Sequence, residues 1–346
     1  MFDHSSFDAH EGVHLFHDAA SGLKAIIAIH STALGPAAGG CRMWNYATGE
    51  AMLRDALRLS QGMSYKNAMA DIPLGGGKAV IWGDAKADKS PDLFRAFGRA
   101  VESLQGKYIT AEDVGIGVAD MQIVREETAH VAGLDEGDAA SGDPSPITAM
   151  GIYVGIRETA KRAFGTDDLT GRTIAVQGVG SVGGHVCEHL AKAGANLVIT
   201  DIDQAALSDI SARTGARIVQ PDDIYDVEAD IFSPNALGAI INEQTLERFR
   251  VKAIAGGANN QLIVPEMGEL LRRRGILYAP DYVINGGGII NVCAEISGTY
   301  SRDWVDGKVK ALMTTLGQVL DTALENDEPT NLVAGRIARQ RIGRTD

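Results

Sequence analysis

Residues 178–183 read Gly-Val-Gly-Ser-Val-Gly and constrain the fold of this chain more than any other segment. The apolar run before them, residues 173–177, predicts a β-strand, and residues 182–194 have the pattern of a helix. Within such a turn, Gly178 permits a tight bend, Gly180 lets a pyrophosphate approach the backbone, and Gly183 lets helix and strand pack closely. A lone G-x-G-x-x-G is weak evidence, but in this context it favours a dinucleotide site over a purely structural glycine turn.

The acidic residue that follows the glycine turn indicates which dinucleotide binds. Asp201 stands 23 residues beyond Gly178, at the end of the next predicted strand. A carboxylate there accepts hydrogen bonds from both ribose hydroxyls and repels the additional phosphate of NADP. Asp203 is nearby and no arginine stands beside it. NAD is therefore the expected cofactor.

The order of strand-like and helix-like segments predicts an α/β fold. After residue 143, short apolar runs alternate with helical patterns, which is typical of a doubly wound parallel sheet. A chain of 346 residues is long for one core. The turn cluster SGDPSP at 141–146 predicts a domain boundary. We expect an N-terminal α/β substrate and catalytic domain (1–142), a Rossmann-like NAD-binding domain (143–326), a C-terminal helix or tail (327–346), and a cleft between the domains with hinges near 141–147 and 284–290.

Composition argues against several classes of partner. The formal net charge of −13 repels nucleic acid and anionic membranes. The first residues lack the pattern of a signal peptide, and no run approaches the apolar length of a spanning helix. Three widely spaced cysteines fit reduced thiols of a cytoplasmic protein. His4, His10, His14 and His17 are interpreted as part of a solvated, partly mobile segment.

Three segments of the first domain concentrate unusual residues: LGPAAGGCR (34–42), GMSYKNAM (62–69) and PLGGGKAV (73–80). The glycines before Lys78 suggest a phosphate-binding P-loop, but that motif needs Gly at position 72 and Ser or Thr at position 79. The chain has Ile72 and Ala79, so this interpretation fails. Lys78 instead follows what the sequence suggests is a triple-glycine turn.

Lys66, Lys78 and Asp113 are the candidates for chemistry. Both lysines stand among small or apolar residues, unlike ordinary surface lysines. A lysine kept from water and close to a second cation gives up its proton more readily, and can act as a base near neutral pH. Asp113 follows a predicted strand in a glycine-containing loop, where functional carboxylates are frequent; a loop-capping aspartate is the alternative.

The motifs LGPAAGG, KNAMADIPLGGGKAV, TAEDVG, GVGSVGG, GGANNQL and YAPDYVINGGGIINV together resemble the leucine, valine and phenylalanine dehydrogenases of the glutamate dehydrogenase superfamily, in the family's order. The resemblance implies that Lys66 binds the substrate carboxylate, that Lys78 activates water, and that Asp113 exchanges protons with the substrate nitrogen. It also implies that Gly39, Gly40 and Met63 line the substrate pocket and that Asn260 holds substrate or nicotinamide. The predicted cofactor-binding residues are Gly178, Val179, Gly180, Ser181, Val182, Gly183, Gly184, Asp201, Thr148 and Asn259.

The resemblance also implies an apolar side-chain pocket, formed by Ala38, Ala111, Ile289 and Val292. An unpaired second carboxylate of glutamate would cost several kcal/mol there. TAEDVG favours a branched-chain substrate, as in leucine dehydrogenases. Ala38 departs from that subgroup, where Leu is usual, and leaves a phenylalanine preference open. Asn235, where relatives generally carry Cys, leaves details near the nicotinamide ribose open.

The expected activity is reversible oxidative deamination of an apolar L-amino acid to the 2-oxo acid, ammonia and NADH. A catalytically silent NAD-binding regulator is the alternative from a different class, but such a protein has no need of Lys66, Lys78 and Asp113 together. His185 and His189 have a spacing that can hold zinc, but no third ligand is evident, so no metal is expected. The family resemblance suggests a homo-oligomer, an octamer or a dimer, built through the first domain.

Overall fold

The computed structural model describes residues 2–134, 143–298 and 300–344. The chain forms two compact units. The first comprises Met1–Gly142, Val292–Arg302 and Ala338–Asp346, and the second Asp143–Asn291 and Asp303–Ile337. The units are therefore discontinuous in sequence, unlike the continuous ranges expected above. Residues 141–142 of the predicted turn and hinge lie outside the described residues.

The first unit is built on a mixed five-stranded sheet with the order β1-β2-β4-β3-β5. Its strands are β1 (Gly12–Asp18), β2 (Leu23–Ser31), β3 (Ala37–Trp44), β4 (Gly75–Trp82) and β5 (Tyr108–Glu112), and its helices include α1 (Gly49–Met69), α2 (Pro91–Glu102) and α3 (Val118–Arg125). β2 pairs antiparallel with β1 and β4. β3 runs parallel to β4 and β5, which places the carboxyl ends of these three strands together.

The two faces of this sheet have different coverings. On one face, Ile26, Ala28 and Val80 pack against Met52 and Ala56 of α1. The opposite face carries a larger core with α2 and α3. Thr48 begins α1 by accepting a hydrogen bond from the amide of Ala51, and Ser90 begins α2 in the same way with Leu93.

Several local predictions for the first unit were wrong. Gly75–Gly77 form no turn, because they are the first residues of β4 and pair with β2 and β3. Neighbouring groups occupy the space that side chains would need there, which explains why these residues are glycines. The N-terminal segment is not solvated throughout: β1 pairs along its whole length with β2, and His10 is buried against Leu57.

The second unit has a six-stranded sheet with the order β11-β10-β9-β6-β7-β8, and the paired strands are parallel. Its strands are β6 (Thr173–Gln177), β7 (Asn196–Thr200), β8 (Arg217–Ile218), β9 (Ile231–Pro234), β10 (Ala253–Ile254) and β11 (Leu277–Tyr278). The predicted α/β fold with a Rossmann-like doubly wound sheet is confirmed. Strands β7 and β8 are added on one side of β6, and β9 to β11 on the other, so the strand order reverses between β6 and β9. Ligands of open parallel sheets bind at such a point.

The remaining helices accompany this sheet or follow it. They are α4 (Ser145–Phe164), α5 (Ser181–Lys192), α6 (Gln204–Thr214), α7 (Glu243–Arg248), α8 (Met267–Arg273), α9 (Asp281–Ile284), α10 (Gly287–Ile296), α11 (Arg302–Asn326) and α12 (Thr330–Arg341), with a short 3-10 helix at Asp223–Asp226. Among the described residues, no helix has the length and apolarity needed to cross a membrane. Nor do those residues contain a cluster of His, Cys, Asp or Glu side chains suited to a metal ion.

Candidate active site

Lys78 lies in the middle of β4 and is only 5 % exposed. Side chains alternate between the faces of a strand, so Lys78 shares a face with Gly76 and Val80. Gly76 lies against the backbone of Ser64 on α1, and Val80 packs in the α1 core. The lysine side chain therefore lies on the face of the sheet that α1 covers.

Asp113 is the direct partner of this lysine. It follows β5, where a short bridge with Ile116 closes the loop. Lys78 Nζ donates to Asp113 Oδ2 at 2.5 Å. Burial acts to raise the pKa of Asp113, but the charges of Lys78 and then Arg42 outweigh it, so its pKa lies below the usual value. The carboxylate is thus ionised at neutral pH, inside a largely enclosed site.

Three residues behind this pair were missed by the sequence reasoning. Arg42 Nε donates to Asp113 Oδ2 at 3.3 Å, and its Nη1 donates to Asp55 Oδ2 at 3.1 Å. The hydroxyl of Tyr46 donates to the same Asp55 oxygen at 2.6 Å. The available signal was spacing: Arg42 follows Gly40 by two residues on one strand and so shares its face.

Gly39 and Gly40 bring backbone close to the reacting groups. A Cβ on Gly40 would stand 2.8 Å from the Asp113 Cβ, and a Cβ on Gly39 would stand 3.2 Å from Met63 Cγ and 1.9 Å from the Gly77 oxygen. Only glycine fits at either place. The buried hydroxyl of Tyr108 donates to the Gly39 carbonyl at 2.5 Å and so fixes this part of β3.

The predicted pocket residues of the first unit lie in the same area of the sheet. Ala38 is buried on β3 and pairs with Gly76, while Ala111 is half-buried on β5 and pairs with Gly40. Met63 covers Gly39 from α1. Lys66 is half-buried three residues further along α1, on the same side of that helix as Met63. The structure thus brings together Lys78, Asp113, Gly39, Gly40 and Met63, with Lys66 on the adjoining helix face.

The glycine turn of the second unit has the features expected of a phosphate site. Gly178 has φ +92°, and a Cβ on Gly183 would stand 2.0 Å from the Gly178 carbonyl oxygen. The space beside Gly180 is open. α5 begins directly after Gly180 without a side-chain cap, so the first amides of the helix face outward for an anion. Val182 and Gly184 lie in that first turn, Gly184 buried against Ile210.

Asp201 lies at the end of β7, next to this turn. Its Oδ2 accepts a hydrogen bond from the amide of Val179 at 2.7 Å, which joins the carboxylate to the glycine turn. A carboxylate held in this position retains acceptor sites for a ribose diol. These residues fit a dinucleotide: Gly178–Gly184 would hold the pyrophosphate and Asp201 the ribose.

The other predicted residues belong to the second unit, except Val292, which belongs to the first. Thr148 donates to the Pro144 carbonyl on α4 and lies against Gly287 and Gly288. Asn285 donates to Asn259 Oδ1 at 2.7 Å, and the adjacent Asn260 has φ +52°. Ile289 and Val292 are half-buried, one turn apart on α10, the helix that leads from the second unit to the first. Asn235 joins Ser233 of β9 to the amide of Gly257.

Comparison with known families gives matches to both parts of the chain. Residues 10–130 match the family model described as Glu/Leu/Phe/Val dehydrogenase, dimerisation domain. Residues 199–344 match the model described as Glutamate/Leucine/Phenylalanine/Valine dehydrogenase. The first range contains Lys66, Lys78 and Asp113, and the second contains Asp201 and Asn260.

Individual relatives align over almost the full length. The chain is 51% identical over 327 residues to the leucine dehydrogenase of Bacillus subtilis (strain 168), covering 94% of this chain and 90% of the relative. It is 46% identical over 338 residues to the phenylalanine dehydrogenase of Bacillus thermotolerans, covering 96% and 88%. The crystal structure of L-tryptophan dehydrogenase from Nostoc punctiforme superposes with a TM-score of 0.85 at 42% identity, covering 96% of each chain. The chain therefore belongs to the Glu/Leu/Phe/Val dehydrogenase family and is an amino-acid dehydrogenase.

Proposed function

We propose that this protein catalyses the NAD-dependent, reversible oxidative deamination of an apolar L-amino acid, with branched-chain substrates favoured. The products are the 2-oxo acid, ammonia and NADH. The observation that carries the proposal is the pair of buried Lys78 Nζ and half-buried Asp113 Oδ2, 2.5 Å apart beside Gly40. A cation and a carboxylate of this kind are what proton transfer to and from an amine and a water molecule requires.

The proposed mechanism assigns one task to each polar group. Lys66 pairs with the substrate carboxylate and orients Cα. When bound, NAD accepts the hydride from Cα, which leaves an imino acid. Uncharged Lys78 takes a proton from water as the water oxygen adds to Cα. Asp113, ionised at the start, takes up the proton of the substrate ammonium group before the hydride leaves. It returns this proton to the nitrogen of the water adduct and then accepts the hydroxyl proton as the C–N bond breaks, so that ammonia leaves and the 2-oxo acid remains.

The choice of substrate follows from the proposed side-chain pocket. Ala38, Ala111, Ile289 and Val292 offer no cation to the second carboxylate of glutamate, and burial of an unpaired carboxylate is costly. The leucine dehydrogenase relatives, near 50% identity, support a branched-chain substrate. The small, buried Ala38 favours a second candidate, a phenylalanine-preferring enzyme of the same family, because it leaves room for a larger side chain.

A substrate panel tests the proposal directly. NADH formation is measured with leucine, valine, isoleucine, phenylalanine, tryptophan and glutamate under alkaline conditions. We expect the branched-chain amino acids to have the highest kcat/KM and glutamate the lowest. A preference for phenylalanine would support the second candidate. No turnover of any amino acid, with NADH still bound, would contradict the proposed activity and favour a catalytically silent NAD-binding regulator.

A matched pair of variants tests the assigned base. Lys78→Met should lower kcat by about 100-fold or more, because a general base contributes roughly that much. Lys89 provides the control: it also pairs with an aspartate, Asp120, at 2.5 Å, but the lysine is partly exposed. Lys89→Met should retain full activity. Equal kcat values for the two variants would remove Lys78 from the mechanism.

We also propose that the enzyme is a cytoplasmic homo-oligomer, an octamer or a dimer, assembled through a substrate domain of residues 1–142. Residues 143–326 form the proposed NAD-binding domain, and residues 327–346 the proposed terminal helix or tail. The match of residues 10–130 to a dimerisation domain supports assembly through the first part of the chain. Light scattering after size-exclusion chromatography measures the subunit number. A monomer at micromolar concentration would contradict this proposal and leave the assigned chemistry untouched.

A further inference from the structure

Asp113 is contacted by two cations at one oxygen. Oδ2 accepts from Lys78 Nζ at 2.5 Å and from Arg42 Nε at 3.3 Å. The two donors come from neighbouring strands, β4 and β3. This exceeds what a simple ion pair needs, because a single cation already balances the carboxylate. The second cation therefore requires an explanation in terms of the reaction.

Arg42 is itself held in place from behind. Its Nη1 donates to Asp55 Oδ2 on α1, and the hydroxyl of Tyr46 donates to the same oxygen. Burial and the neighbouring Asp55 carboxylate raise the pKa of Tyr46, so its hydroxyl keeps its proton and remains a donor. The guanidinium thus bridges Asp113 and Asp55 with its Nε and Nη1 groups, in a geometry that only a planar fork provides.

The two cations differ in one chemical property. In the proposed mechanism Lys78 must be uncharged when it takes a proton from water, whereas an arginine does not lose its proton in proteins. Before the reaction starts, Asp113 must be ionised to accept the proton of the substrate ammonium group, and at that point it lacks the charge of the uncharged Lys78 while most of its side chain is shielded from water. A carboxylate without a cation in such a place tends to take up a proton itself. Arg42 is the group positioned to prevent this.

We propose that Arg42 is a positioning residue for the reaction: clamped by Asp55 and Tyr46, it keeps the Asp113 carboxylate ionised and correctly oriented while Lys78 is uncharged, so that Asp113 is ready to accept the proton of the substrate ammonium group. This inference rests on the proposed function, in which Lys78 and Asp113 carry the proton transfers. It adds Arg42, Asp55 and Tyr46 to the residues that the chemistry depends on.

The other titratable groups around Asp113 do not take over this role. Lys78 faces it from β4 and Arg42 from β3, while Asp55 acts from α1 through Arg42. Burial raises the pKa of the Cys41 thiol well above its usual value, so Cys41 stays uncharged. Asp120 of α3 pairs with Lys89. Of the two described cations that contact Asp113, Lys78 and Arg42, Arg42 is the one whose charge is permanent.

A titration in a Lys78→Met background isolates this effect, because methionine imitates the uncharged lysine. The protonation of Asp113 is followed by infrared spectroscopy of protein labelled with ¹³C-aspartate, and the band is assigned with Asp113→Asn. Replacing Arg42 by Met as well should raise the pH at which Asp113 protonates by about one unit or more, since one pKa unit corresponds to a tenfold preference. An unchanged titration would overturn the proposal. The infrared measurement itself requires no catalytic activity.

Kinetics of single variants separate charge from orientation. Arg42→Met should lower kcat roughly tenfold or more with a smaller change in the KM for leucine. Arg42→Lys keeps the charge but loses the planar fork. In the Lys78→Met background it should leave the pH at which Asp113 protonates unchanged, whereas as a single substitution it should still lower kcat. Arg54→Met, an exposed arginine next to Asp55 on α1, is the control and should match the unmodified enzyme. Thermal melting of each variant identifies loss of folding; a fully active, folded Arg42→Met would overturn the role.

Discussion

Gly77 and Tyr108 show how single residues shape the site. A Cβ on Gly77 would stand 2.7 Å from the Tyr108 ring, so the glycine lets the ring lie under β4. From there the Tyr108 hydroxyl reaches the Gly39 carbonyl. Burial raises the pKa of Tyr108 well above its usual value, so the hydroxyl keeps its proton at neutral pH and remains a donor. A glycine in one strand thus fixes the backbone of another.

Removing that hydroxyl tests its contribution. Tyr108→Phe leaves the Gly39 carbonyl without this buried donor, which should lower the free energy of unfolding by about 1–3 kcal/mol. It should also raise the KM for the amino acid, because Gly39 borders the proposed pocket. Chemical denaturation and steady-state kinetics measure the two effects. Tyr153→Phe, a half-buried tyrosine on α4, is the comparison and should change neither; equal stability of both variants would refute the assigned hydrogen bond.

Asp201 provides a second test at the residue scale, this time of cofactor choice. Asp201→Asn removes the charge but keeps an oxygen that accepts from the Val179 amide. We expect the ratio of kcat/KM with NADP to that with NAD to increase roughly tenfold, because repulsion of the 2′-phosphate is reduced. Asp203→Asn is the control, since Asp203 caps α6 and its substitution should leave the ratio unchanged. An unaltered ratio in Asp201→Asn would argue against its proposed contact with the ribose.

Elements depend on neighbours that local sequence does not reveal. β3 has the sequence AAGGCRMW, whose small residues carry little β propensity, and it is a strand because β4 and β5 pair with it on both sides. The same pairing brings Arg42 to Asp113, which explains why sequence reasoning identified Asp113 and missed Arg42. In the second unit, by contrast, β6 was predicted with its exact bounds, because an apolar run followed by a glycine turn is a local signal.

Two glycines near the contact between α1 and β4, Gly76 and Gly62, differ in whether a larger residue would fit. A Cβ on Gly76 would stand 2.0 Å from the Ser64 amide nitrogen, whereas a Cβ on Gly62 of α1 would meet open space. Gly76→Ala should therefore destabilise the protein by roughly 1–3 kcal/mol by displacing the helix. Gly62→Ala should stabilise it by about 1 kcal/mol, because alanine is the better helix former. Denaturant unfolding compares the two; shifts of the same sign would show that α1 does not lie as described.

At the scale of the whole molecule, the first unit is closed by both ends of the chain. Arg339 and Arg344 donate to the Asp8 carboxylate, and Arg341 donates to the carbonyls of Ala68 and Met69 at the end of α1. This long-range closure explains why residues 338–346 belong to the first compact unit. Sequence patterns indicate the helix but contain no signal for its partner, because the contacts join positions more than 270 residues apart.

His30 makes this closure sensitive to pH. Arg344 Nη1 lies 2.7 Å and Asp8 Oδ2 3.1 Å from His30 Nε2. The shorter contact is with Arg344, and because a guanidinium only donates, we assign Nε2 as the acceptor and Nδ1 as the donor to Ser64. Burial first, and then the charge of Arg344, lowers the pKa of His30 from 6.5 to about 4. The neutral form is therefore the one that fits between β2, α1 and the C-terminal segment, and protonation opposes the contact with Arg344.

The sign of the resulting pH dependence follows from linkage. Above pH 6.5 His30 is neutral in both states and its full contribution is present; between 6.5 and about 4 the unfolded chain binds a proton that the folded chain does not. The free energy of unfolding should fall across this window by about 3 kcal/mol at most. Burial also lowers the pKa of His10, so His10 adds to this fall in stability. The carboxyl of Asp8, whose pKa is lowered, titrates below this pH window.

The variant His30→Gln isolates the contribution of that one histidine. Glutamine does not titrate, so the unfolding free energy of His30→Gln should depend less on pH between 6.5 and 4 than that of the unmodified protein, while His10 keeps its share. Denaturant unfolding is followed by tryptophan fluorescence in a Trp304→Phe background, since Trp44 and Trp82 belong to the first unit and Trp304 to the second. Parallel pH curves for the two proteins would mean that His30 is not held neutral by the closing C-terminal segment.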